Sequence, residues 1–119
     1  MGSSMDYEDR IRELLVTTGA VAGAVISRDG RVVAAVVPDH VSRETFSIMC
    51  ATIMGASVTA FTELGRLSPN RLVIASPDAQ LLVLPLDKKH LVALVLTASA
   101  DLVAAEITAD EFLGLTPVP

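Results

Sequence analysis

Along the chain, apolar positions fall into runs whose lengths and spacings differ from segment to segment. In "DYEDRIRELLVTTG" Ile11, Leu14 and Leu15 recur at helical spacing. Acidic residues crowd its first turn and Gly19 closes it, so the spacing predicts a short amphipathic helix over about residues 6–18. "AGAVISRDGRVVAAVV" reads differently. Two β-rich runs flank Asp29-Gly30, a pair suited to the positive φ angles of a tight hairpin, which places strands at about 22–28 and 31–37. Pro38 ends the second strand. Ser42 then offers an N-cap to a long helix that runs to about Arg66, with "LSPN" as its exit.

"RLVIA", "QLLVLPL" and "HLVALVLT" follow, separated by "SPDA" and "DKK". Three short apolar runs with turn chemistry between them predict an antiparallel meander. Pro85 suits a bulge or a strand end better than a strand interior. "SADLVAAEITADEFLGL" predicts a short last helix capped at Ser99 and interrupted at Ile107-Thr108. Residues 1–4 read as a vector remnant ahead of a native start at Met5, residues 5–113 as one domain, and residues 114–119 as a frayed tail. The order helix, two strands, helix, three strands, helix predicts a three-layer α/β/α domain. Its sheet is five-stranded and mostly antiparallel, with helices on both faces.

The long helix has more apolar surface than one sheet can cover. "FSIMCATIMGASVTAF" carries no charge, and the uncharged run spans 45–62 between Glu44 and Glu63. At about 100° per residue, apolar or small side chains cover well over half its circumference. A surface helix needs an apolar face of only about 100° or somewhat more. Serines and threonines interrupt the run, and no basic or aromatic anchors flank it, which argues against a membrane span. A second face on another molecule is the remaining use. Met49, Ile53, Gly55, Ala56 and Ala60 are the candidate contacts, several of them small enough for a partner backbone to approach. "RLVIA" has no interior charge or proline to block edge pairing, so Leu72, Val73 and Ile74 join them as candidates for a homodimer interface. Opposite lies a thinner polar stripe of Glu44, Thr45, Thr52, Thr59 and Glu63, the candidate surface for a further partner, its groove lined by threonine hydroxyls and rimmed by the charges.

Composition sharpens this picture. The chain is 51% hydrophobic with 3% aromatic residues and no Trp, so aliphatic side chains must build the core. Mean hydropathy is +0.55. Net charge is −5, and apart from Lys88-Lys89 the cations are scattered singly, which makes nucleic acid an improbable partner. A single cysteine, Cys50, fits a reducing, cytoplasmic compartment and reads as a buried, inert thiol. His40 and His90 lack ligand-spaced mates. No nucleophile elbow, P-loop or dinucleotide fingerprint is present, and "GAVAGAVIS" leads into a strand rather than out of one. Asp101, Glu106, Asp110 and Glu111 read as a solvated helix face. No catalytic, cofactor or metal residue is assigned, and the chain reads as a non-enzyme.

Three stretches together resemble the roadblock family, which includes roadblock-type dynein light chains and prokaryotic regulators of small Ras-like GTPases. They are "GAVAGAVISRDGRVVAAV", "MCATIMGASVTAFTELG" and "NRLVIASPDAQLLVLPLDKKHLVALVL". The resemblance spans about residues 8–106 and lies in element order and residue size. It implies that the long helix lies on one face of the five-stranded sheet and the terminal helices on the other. It also implies a dimer, homotypic or with a relative, in which the long helices pack antiparallel and the third strands join into one sheet. Here that assigns the contact to residues 43–65 and 71–75, the same elements the pattern selects. It further implies a cytoplasmic regulatory module that binds a small Ras-like GTPase, or alternatively a scaffold or adaptor that pairs with a roadblock-like relative. The interrupted last helix departs from the family pattern. Arg43 and Arg66, at the ends of the long helix, are the candidates for an arginine finger.

Overall fold

The structure is a computed structural model that describes residues 4–114. Expectations for residues 1–3 and 115–119 lie outside the described residues. Helix α1 (Ser4–Thr18) leads into β1 (Ala22–Ser27) and β2 (Val32–Val36). Helix α2 (Arg43–Glu63) precedes β3 (Leu72–Ala75), β4 (Ala79–Pro85) and β5 (His90–Thr97), and α3 (Leu102–Leu113) follows. All four strand pairings are antiparallel, in the order β2-β1-β5-β4-β3. The first and last strands of the chain therefore meet in the middle of the sheet, and β2 and β3 form its edges.

The central strands are apolar without alternation because both their faces are covered. Ala24, Ile26, Val83, Leu91 and Ala93 pack against Cys50, Ala51 and Met54 of α2. Val25, Leu82, Leu84, Val92 and Leu94 pack on the other face against Ile11 and Leu14 of α1 and Ala109 of α3. These are the three layers expected from the sequence. Gly23 lets α1 close on β1: a Cβ there would stand 3.1 Å from the Leu15 and Leu94 methyls. Pro85 ends β4, where its missing N–H interrupts no interior ladder.

Two local features differ from expectation. Helix α3 is continuous through Ile107-Thr108, and its N-cap is Asp101, whose carboxylate accepts from Ala104 N–H at 3.1 Å. Ser99 precedes the helix, and a Thr within it costs only fractions of a kcal/mol, roughly 0.7 at most. The β1–β2 turn is a longer loop than the Asp-Gly pair alone. Ser27 N–H donates to the Arg31 carbonyl and Gly30 N–H to the Ser27 carbonyl, both at 2.9 Å. Gly30 takes φ +96°, and a Cβ on it would lie 3.3 Å from Cα of Ile48, so this turn packs directly on α2.

Candidate interaction site

The site is built on α2 and the β3 edge beside it. Ser42 caps α2, its hydroxyl accepting from Thr45 N–H at 3.2 Å. Ser47, Cys50, Ala51 and Met54 turn inward, which fixes the rotation of the helix on the sheet. By length and composition α2 could cross a membrane, yet this inward side forms the lid of a sheet core. Burial pushes the Cys50 thiol up to about 11, so it is held as an unreactive apolar group.

The outward side of α2 holds no charge between Glu44 and Glu63. Met49 and Ile48 are each 48% exposed, Ile53 is half-buried, and Gly55, Ala56 and Ala60 are exposed. Glu44, Thr45, Thr52, Thr59 and Glu63 are exposed, but the threonines and Glu63 fall within about 80° of Met49 around the axis, beside the expected dimer contacts rather than opposite them. Three threonine hydroxyls on α2 donate back to the helix itself. Thr52 Oγ1 donates to the Ile48 carbonyl at 2.7 Å, Thr59 to Gly55 at 3.2 Å and Thr62 to Val58 at 3.0 Å. The Thr52 and Thr59 protons are thus held on their own helix, four residues back, which leaves those two hydroxyls as acceptors towards anything else.

The helix has two flanks with different neighbours. Phe46 lines a hollow of about 180 Å³ with Ile74, Leu81 and Val95 on the β3–β4 side of the sheet. Met49, Ile53, Ala56 and Ala60 follow Phe46 within about 80° around the axis, so these four expected contacts share the β3 flank. Gly55 stands about half a turn from Phe46. It lies instead above Arg28 and Leu91, on the flank where Ile48 meets Gly30.

β3 is an open edge. Ser76 N–H donates to the Ala79 carbonyl at 2.8 Å across the β3–β4 turn, which makes Ser76 and Ala79 a hydrogen-bonded pair. Bonded pairs alternate in an antiparallel ladder, so Ile74–Leu81 and Leu72–Val83 are bonded too. The N–H and C=O groups of Val73 and Ala75 consequently point away from β4, at the free edge. Leu72 packs against the α2 core, whereas Val73 is 38% and Ile74 40% exposed.

At the head of this strand Arg71 forks onto two carboxylates of α3. Nη1 lies 2.6 Å from Glu106 Oε2 and Nη2 lies 3.1 Å from Asp110 Oδ2. Burial works against the Arg71 charge, and the two carboxylates outweigh it, holding the guanidinium above its ordinary value. Glu106 and Asp110 are therefore not the solvated face the sequence suggests; they tie α3 to the β3 edge. Their spacing of one helical turn was a visible signal, but the partner stands thirty-five residues upstream. His40 is exposed, and the His90 ring pairs with Asp87 at 2.9 Å. Among the described residues no group of three or more His, Cys, Asp or Glu could hold a metal ion.

The sequence model of the Roadblock/LC7 domain matches residues 7–97, from α1 to the end of β5. No curated protein matches the sequence. Among solved structures the chain is similar to MglB of Myxococcus xanthus, with a TM-score of 0.87 at 7% identity over 97% of this chain and 87% of that one. It is also similar to the gliding protein MglB of Thermus thermophilus, with a TM-score of 0.80 at 20% identity over 97% and 89% of the two chains. A Roadblock/LC7 domain from Streptomyces avermitilis gives a TM-score of 0.82 at 14% identity over 90% and 91%. At these identities the likeness is one of fold.

Proposed function

The chain belongs to the Roadblock/LC7 domain family, and on that premise we propose that it is a non-enzymatic regulatory module, a homodimer that binds a small Ras-like GTPase. The observation that carries the reading is the uncharged outward face of α2, placed beside an open β3 edge. A helix of this length is about 30 Å long and 10 Å wide, so one face offers roughly 300 Å². A stable interface takes roughly 800 Å² from each partner. The β3 edge and the hollow beside Phe46 lie next to that face and supply further apolar and hydrogen-bonding surface. A two-fold axis through Ile74 would set Val73 of one copy opposite Ala75 of the other, matching the outward N–H and C=O groups of both.

GTPase binding rests on the family resemblance rather than on any one side chain. Ordering the GTPase's own catalytic groups, or recognising one of its nucleotide states as an adaptor, requires shape and positioning but no donated nucleophile. The uncharged surface between Glu44 and Glu63 fits that role. It also fits pairing with a roadblock-like relative in a scaffold, since small side chains distinguish self from relative weakly. The discriminating experiment is capture on the immobilised protein from its native extract, run with GDP and with a non-hydrolysable GTP analogue. Retention of a small GTPase that depends on the nucleotide supports the regulator. Retention of a roadblock-like subunit regardless of nucleotide, with no GTPase, replaces it with the scaffold.

A further inference from the structure

The β1–β2 and β4–β5 turns are distant in sequence and adjacent in space, because β1 pairs with β5. Arg28 N–H donates to the Lys89 carbonyl at 2.9 Å, locking the two tips together. Ser27, Arg28, Asp29, Arg31, Lys88 and Lys89 line a hollow of about 290 Å³ between them. Four of the nine Lys and Arg residues thus converge on a chain of net charge −5. The nearby carboxylates are engaged within their own turns. Asp29 is bonded by the Ser27 hydroxyl and pairs with Arg31 at 3.4 Å. Asp87 accepts from Lys89 N–H at 2.7 Å and meets the His90 ring. Among the described residues Arg28, Lys88 and Lys89 make no ion pair.

Arg28 also lines a second hollow, of about 200 Å³, with Ala51, Met54, Gly55, Val58 and Leu91. Gly55 leaves its mouth open, since a Cβ there would meet nothing within 4 Å. An apolar hollow joined through one arginine to a basic one suits a ligand with an apolar anchor beside carboxylates. We propose that this composite site binds an acidic segment of a protein partner. One aliphatic or aromatic side chain enters under the Gly55 flank of α2, and neighbouring Asp or Glu carboxylates meet Arg28, Arg31, Lys88 and Lys89. A phosphate alone would leave the apolar hollow unfilled. The site lies on the flank of α2 turned away from Phe46, so it stays open when β3 edges pair. The inference goes beyond the dimer and GTPase reading, and neither dimerisation nor guanine nucleotide enters its test.

The test is fluorescence anisotropy of the full chain with a labelled peptide of alternating Glu, Leu and Asp. Inorganic pyrophosphate and anionic phospholipid vesicles serve as the other anion sources. The peptide binds, its affinity falls as salt rises, and replacing its leucines by serine weakens it. The double variant Lys88→Glu, Lys89→Glu weakens it by about tenfold or more, because two attractions become repulsions. Both lysines are exposed, and an unchanged thermal melt shows that the variant is folded. The proposal is overturned if the peptide fails to bind at low salt, or if the double variant binds it unchanged. It is equally overturned if pyrophosphate or vesicles bind and displace the peptide while the leucine-to-serine peptide binds as well as the original.

Discussion

Arg71 holds two elements together from the head of a four-residue strand. One oxygen of Asp110 lies on its guanidinium, and the other is buried without a partner among the described residues. Removing the arginine strands both carboxylates. Full burial of such a pair would make the loss about 3–5 kcal/mol, but these side chains keep some contact with water, so Arg71→Ala is expected to cost about 1–2 kcal/mol. Arg71→Lys recovers only part, since a point charge cannot fork onto two carboxylates. Urea unfolding measures both variants, and a wild-type midpoint for Arg71→Ala would show that the clamp does not stabilise the fold. This clamp was not legible in the sequence, because nothing local connects Arg71 to a helix that follows two further strands. The bonding of the Thr52 and Thr59 hydroxyls was hidden for a related reason. Their residue type says hydroxyl, and only the helix carbonyl four residues back decides where that hydroxyl goes.

At the scale of elements the sequence was more informative. Ser42, Pro38 and the apolar runs marked the start of α2 and the strands to within a residue or two, and the end of α2 to within three, because caps, proline and periodicity act locally. Strand order was not legible that way. That β1 joins β5, and that β3 is an edge, are decided by which faces can be covered, and the meeting of the two basic turns follows from that pairing. The register of β3 makes a paired prediction. Val73→Pro removes an N–H that points at the free edge, so the monomer keeps its stability and strand-to-strand association is lost. Ile74→Pro removes an N–H bonded within the sheet and destabilises the monomer, by about 3 kcal/mol if the loss resembles that in a helix interior. Hydrogen exchange on the β4 amides, with sedimentation alongside, separates the two. Equal effects from both substitutions would refute the register.

At the scale of the whole molecule, surfaces of three kinds are segregated. The sheet core is closed by α2 on one face and by α1 and α3 on the other. The uncharged α2 face and the β3 edge share one side, and the cationic turns cluster apart from them. The excess of apolar surface on α2 was evident from its uncharged run alone, whereas its division into two flanks required knowing that Phe46 leans towards Ile74 and that Ile48 meets Gly30. Self-association through the β3 flank is the claim on which the regulatory reading stands. Sedimentation equilibrium of the wild-type chain and of Ala56→Arg tests it most directly, since an arginine there would be buried unpaired at the seam. The account predicts twice the 12.5 kDa chain mass for the wild type and the single-chain mass for a folded Ala56→Arg variant. A wild-type protein that sediments at 12.5 kDa, or a variant that keeps the dimer mass, would contradict it.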